Sequence, residues 1–117
     1  MADALAATLT VAPTDEGLEL TLSVENTGGE AVDLSFADGQ RVEFVAVDTE
    51  GAEVWRWSEG RMFAMALGSE SLEPGGSVAY DGDWESPPAG EYEVTGTLVA
   101  TDADAAASMS VVVPDDG

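Results

Sequence analysis

From Leu18 to Glu25 the chain reads Leu-Glu-Leu-Thr-Leu-Ser-Val-Glu, aliphatic at every second residue and acidic or hydroxylated between. Successive side chains of a strand point to opposite faces, so a period of two builds a strand with one dry and one wet face. A helix would need its apolar residues at a period near 3.6. The same beat recurs along the chain. Leu9 and Val11 alternate with Thr8 and Thr10, and Pro13 to Gly17 supplies a turn, which predicts a hairpin. Val32, Leu34 and Phe36 oppose Asp33 and Ser35 before an Asp38-Gly39 turn. Val54 to Trp57 reads as a short strand, and Val78 and Tyr80 begin one that reaches Trp84. Tyr92, Val94, Gly96, Leu98 and Ala100 alternate with Glu91, Glu93, Thr95 and Thr97, and Met109, Val111 and Val113 form the last strand.

Two stretches break the rhythm. Between Arg41 and Asp48, Val42 and Phe44 point one way while Val45 and Val47 point the other, which requires cover on both faces or a bulge. Ser58 to Pro74 is the least regular stretch; Met62, Phe63, Met65 and Leu67 fit either a helical turn or a strand fragment. The alanines of Ala103 to Ala107 admit a helix, but Asp104 interrupts them and their flanks are strand-like. About eight antiparallel strands without a useful amphipathic helix predict an all-β fold, a β-sandwich. The expected organisation is one domain over 1–117, with 114–117 a short acidic tail.

The wet faces are unusual. The chain has 24 acids against three arginines, no lysine and no histidine, a net charge of -21 on 117 residues. Surface scaling gives a folded chain of this mass roughly 6,000 Å², or about one net negative charge per 290 Å². Hydrophobic residues are 44% of the chain, so it is not an acidic disordered segment. The acids are dispersed over strand faces and turns rather than gathered in a block. At molar salt the Debye length falls to about 3 Å and the self-repulsion is screened. The charge therefore reads as a halophile-like adaptation of the surface, with a basic partner as the rival explanation.

Composition also excludes function classes. Three arginines cannot neutralise a useful run of phosphates, so no nucleic acid is expected as a partner, and no anionic membrane. Without cysteine, histidine or lysine there is no serine–histidine triad, thiolate metal site or Schiff base. The pairs Asp81 and Asp83, Asp102 and Asp104, and Asp115 and Asp116 lie outside any twelve-residue calcium loop, so they favour diffuse cation condensation over a discrete metal site. The expectation is a non-enzyme with no cofactor. The opening Met1-Ala2-Asp3-Ala4 lacks the basic and apolar regions of a signal peptide, and no stretch approaches a membrane span, which predicts a soluble chain.

Several features recur in a known order: Asn26; Val32 to Gly39, with its Phe-x-x-Gly turn; Phe44; Gly51; Val54-Trp55-Arg56-Trp57-Ser58; Phe63; Leu72-Glu73-Pro74-Gly75; Trp84; and Gly90-Glu91-Tyr92. This set resembles the BsuPI-type intracellular proteinase inhibitor family over more than half the chain. The resemblance implies an immunoglobulin-like β-sandwich in the cytoplasm that inhibits serine proteinases by protein–protein binding. It implies no cofactor and supplies no mapped reactive site. The partner expected from it is a serine proteinase or another intracellular protein, met by a monomer. The alternative is a non-inhibitory protein-interaction or accessory sandwich.

The candidate protein-binding residues are Trp55, Arg56, Trp57, Arg61, Met62, Phe63, Met65 and Leu67. On a strand Trp55 and Trp57 share one face and Arg56 takes the other. Tryptophan and arginine are favoured interface anchors, but indoles also lie over cores, and Arg56 has acids nearby to pair with. From Ser58 to Leu72 the acids thin to Glu59 and Glu70. Met62, Phe63 and Leu67 suit an apolar primary pocket of a proteinase, and Arg61 a trypsin-like one. The structural alternative is a lid that tucks Phe63 and Leu67 under the sandwich edge. Exposed, coplanar Trp55, Trp57 and Trp84 would instead mark a carbohydrate-binding sandwich.

Overall fold

Leu20, Leu22 and Val24 on one strand and Val42, Phe44 and Ala46 on another form the middle of a single buried cluster, as their alternation requires. The computed structural model describes residues 5–59, 62–63, 67–101 and 105–114. The described strands are β1 (Leu5–Pro13), β2 (Gly17–Asn26), β3 (Val32–Phe36), β4 (Val42–Val47), β5 (Glu53–Arg56), β6 (Gly68–Leu72), β7 (Ser77–Glu85), β8 (Gly90–Leu98) and β9 (Ala106–Val113). They pair in the orders β1-β2-β7, β3-β6 and β5-β4-β8-β9, all antiparallel. The fold is an all-β, immunoglobulin-like sandwich. Tyr92, near the start of β8, donates its hydroxyl to Pro88 O at 2.8 Å, the corner contact typical of immunoglobulin-type sandwiches.

Nine strands appear among the described residues where about eight were expected, and the addition is β6. Its Gly-Ser-Glu-Ser-Leu sequence has no aliphatic alternation, and only Leu72 is buried. Pairing with β3, Phe36 against Gly68 through Val32 against Leu72, makes it a strand. The broken phase after Arg41 is also resolved. Val42, Phe44 and Ala46 face inward, Val45 and Val47 are half-buried on the outer face, and the β4–β5 register shifts between Ala46 and Val47. The alanine-rich stretch leads into β9, with Asp102, Asp104, Asp115 and Asp116 outside the described residues.

Phe44 shows how the layers meet. It pairs with Gly96 of β8, and its ring reaches Gly82 of β7 in the facing sheet. A Cβ on Gly82 would come within 2.8 Å of both the Phe44 ring and Trp57 Nε1. A side chain there would push the sheets apart or expel an aromatic ring.

Asn26, at the end of β2, is the one buried polar residue among those described. Its Nδ2 donates to Glu30 O at 2.8 Å and to Leu72 O at 2.9 Å, and its Oδ1 accepts Gly28 N–H at 2.9 Å. Its backbone exchanges hydrogen bonds with Gly75 and Gly76 at 2.9 Å each. Gly75 lies in the left-handed region (φ 82°), and Gly76 N–H closes the turn onto Glu73 O at 2.7 Å. That is the geometry Pro74-Gly75 favours at the centre of a type II turn. Asn26 thus ties β2 to the approach to β3 and the end of β6 through its side-chain amide, and to the turn into β7 through its backbone.

A second cluster holds one of the three arginines. The Arg41 guanidinium lies 4.2 Å over the Phe36 ring, donates to Asp38 O at 2.9 Å and pairs with Glu70 at 3.3 Å. Tyr80 donates to the other Glu70 oxygen at 3.3 Å. Burial, reinforced by the Glu70 charge, pushes the Tyr80 phenol up to about 12. A phenol that ionises later in the folded than in the unfolded chain contributes stability below its ordinary value of 10.0, and loses it as pH climbs toward about 12. Denaturant unfolding should therefore show stability falling across that window, and Tyr80→Phe should flatten the fall. No lysine titrates there to obscure the result. An unchanged slope in Tyr80→Phe would assign the loss to other groups.

Candidate functional site

Trp55 pairs across β4–β5 with Ala46, an inward position, so its indole enters at the edge of the four-stranded sheet. There it stacks on Trp84 of the facing sheet, centroids 4.9 Å apart and planes 12° from parallel. Trp84 meets Tyr92 edge-on at 5.1 Å. Trp57, just past β5, donates its backbone N–H to Phe44 O at 2.9 Å and lays its indole perpendicular to the Phe44 ring at 6.0 Å. Both indoles pack against the core. This arrangement does not make the coplanar exposed platform of a carbohydrate-binding sandwich.

Arg56 takes the opposite face. Its Nη2 meets Glu53 Oε1 at 2.7 Å, its Nε meets Glu53 Oε2 at 3.2 Å, and its Nη1 meets Glu43 Oε2 at 3.3 Å. The hydrogen bonds from Arg56 hold the Glu53 carboxyl below its usual range, and Glu53 and Glu43 raise the guanidinium further above its own. Arg56 is thus a locked cation.

Beyond β5 the candidates divide. Phe63 is half-buried, its ring 5.7 Å from that of Trp57 and tilted by 49°. Met62, its neighbour, is 97% exposed, and Leu67 is 85% exposed. Leu67 stands on the rim of an open hollow of about 450 Å³ lined also by Phe36, Gly68 and Thr101. The lid expectation thus holds for Phe63 and fails for Leu67, which precedes β6 on its wet side. Arg61 and Met65 lie outside the described residues. A larger hollow of about 660 Å³, between the β1–β2 turn and β9, is lined by Val11, Pro13, Leu18, Met109 and Val111 and lies apart from these candidates.

The residue that sequence reasoning missed is Glu43. Its carboxylate accepts the N–H of Ser58 at 3.0 Å, the Ser58 hydroxyl, the N–H of Phe44 at 3.1 Å and Arg56. As one acid among 24, on a strand far in sequence from Ser58, it carried no local signal. Among the described residues no group of three or more acids is placed to hold a metal ion, and Asp81 accepts the Thr21 hydroxyl at 2.9 Å. No helix among them is long and apolar enough to cross a membrane.

The geometry defines a class: a small immunoglobulin-like sandwich carrying a locked edge strand and, further along the chain, an exposed apolar side chain beside an anchored one. Residues 5–103 match the BsuPI family, described as intracellular proteinase inhibitor, and the chain belongs to that family. No curated protein matches it. Among solved structures, a β-glucuronidase from glycoside hydrolase family 2 superposes with a TM-score of 0.58 at 12% identity, over 97% of this chain and 13% of that one. A Bacteroides uniformis β-glucuronidase gives 0.52 at 11% identity, over 93% and 14%. The chain spans less than a sixth of either enzyme's length. At such identity the likeness is one of fold.

Proposed function

We propose that this protein inhibits a serine proteinase in the cytoplasm by presenting the segment that follows β5. The family description supports the activity. The observation that carries the placement is Met62, 97% exposed, next to Phe63 anchored on Trp57. An unbranched apolar side chain projecting from an anchored neighbour is what an apolar primary pocket takes up, and the anchor lowers the ordering cost of binding. Trp57 and Phe63 serve as the support of this surface, with Met62 and Leu67 as its exposed contacts, while Trp55 belongs to the separate stack on Trp84. Arg56 stays with its acids, and Arg61 and Met65 complete the segment in sequence.

The test is inhibition of subtilisin-like and trypsin-like proteinases by the full chain in molar potassium chloride, where the acidic surface is screened. Inhibition of the subtilisin-like enzyme is expected. No inhibition of either at micromolar protein would remove the role and leave the fold intact. The second reading, a non-inhibitory interaction module, draws on one observation: both indoles of the Trp-Arg-Trp run are committed to the core rather than free as interface anchors.

A further inference from the structure

With no cysteine in the chain, no disulfide holds the segment leaving β5. Two successive residues of β4 hold it instead, one from each face. On the inner face, Phe44 accepts the Trp57 N–H at 2.9 Å and meets its indole edge-on. On the outer face, both carboxylate oxygens of Glu43 are engaged, Oε1 by the N–H groups of Ser58 and Phe44, Oε2 by the Ser58 hydroxyl and Arg56 Nη1. The Glu43 side chain is only 14% exposed. Arg56 is in turn forked onto Glu53, and Glu59 N–H closes a turn onto Arg56 O at 3.1 Å.

Hydrogen bonds to an ionised carboxylate are stronger than neutral ones, and more so where water is largely excluded. We propose that Glu43 is a positioning residue, which fixes the direction in which the chain leaves β5 through Trp57 and Ser58. The inference rests on the inhibitor reading for its consequence, though not for its geometry. Glutamine at this position keeps the size of the side chain but turns an amide donor toward the donors of Ser58 or Arg56. It also removes one negative charge, which elsewhere on a surface this acidic should be harmless or helpful. Position 43 is therefore expected to respond with the opposite sign to an ordinary surface acid.

The experiment compares the full chain, Glu43→Gln and Glu19→Gln by hydrogen-exchange mass spectrometry in about 2 M potassium chloride. Glu19 is an exposed β2 residue and makes the same change of charge. The amides of Trp57, Ser58 and Glu59 should exchange about tenfold faster in Glu43→Gln, the loss expected for a charged hydrogen bond, with β2 and β8 unchanged. Glu19→Gln should exchange like the parent throughout. Against a subtilisin-like proteinase, Glu43→Gln should inhibit about tenfold more weakly and be cut between 58 and 67, because an unbraced segment binds as a substrate. Unchanged exchange at Trp57, Ser58 and Glu59, faster exchange spread over all strands, or undiminished inhibition would each overturn the proposal. If the unmodified protein inhibits nothing, the inhibitor reading falls, and the exchange result alone decides whether Glu43 positions the segment.

Discussion

Asn26→Ala is expected to lower the thermal midpoint by about 10 °C. The substitution leaves the carbonyls of Leu72 and Glu30 and the N–H of Gly28 without their side-chain partner, the first of these in a buried contact. Leaving a buried polar group unsatisfied costs about 1–3 kcal/mol, so with partial rehydration of the outer two the loss is about 3 kcal/mol. For a domain near this size each kcal/mol moves the midpoint by roughly 4 °C, which gives the expected figure. Asn26→Asp keeps the acceptor for Gly28 but loses both donations and buries a charge, so it should be the more damaging of the two. Scanning calorimetry in molar salt measures both. A shift of under about 2 °C for Asn26→Ala would mean that the carbonyls find water or other partners and that the amide is not the tie between β2 and β6.

Raising potassium chloride from about 0.1 M to about 2 M should lift the midpoint by at least about 10 °C, since the Debye length falls from about 10 Å to below 3 Å. The accessible surface is 7009 Å², above the roughly 6,000 Å² of size scaling, as suits a body of 51 × 29 × 27 Å. Even so spread, 21 net negative charges lie within a few screening lengths of one another at low salt. Three ion pairs among the described residues offset little of this. If screening is the cause, tetramethylammonium chloride should raise the midpoint as well as potassium chloride does. A rise confined to small cations would point to specific cation sites, and a flat response would reject the halophile-like reading of the composition.

The strands legible in the sequence were those whose own residues carry the alternation. β2 and β8 announce themselves because one face is buried and the other wet along most of their length. β6 does not, because four of its five residues stay out of the core and it is a strand only through pairing with β3. The same distinction governs the site. Trp55, Trp57 and Phe63 could be flagged as large aromatic side chains, but their partners Trp84 and Phe44 arrive from other strands. Glu43 was invisible because its meaning depends on register: it becomes a ligand of Ser58 only once β5 has folded back along β4. Chemistry that depends on a residue's type could be read locally, and chemistry that depends on its neighbour across a ladder could not.

The aromatic contacts fall into two separate groups, and this gives the molecule built-in optical reporters. Trp55 stacks on Trp84, which also meets Tyr92, whereas Trp57 sees Phe44 and Phe63. Undocking of Phe63 changes the surroundings of one indole and leaves the other two in place. In variants that retain either Trp57 alone or the Trp55–Trp84 pair, emission would separate release of the Met62 segment from loss of the fold. Engagement of a proteinase could then be followed without any attached label.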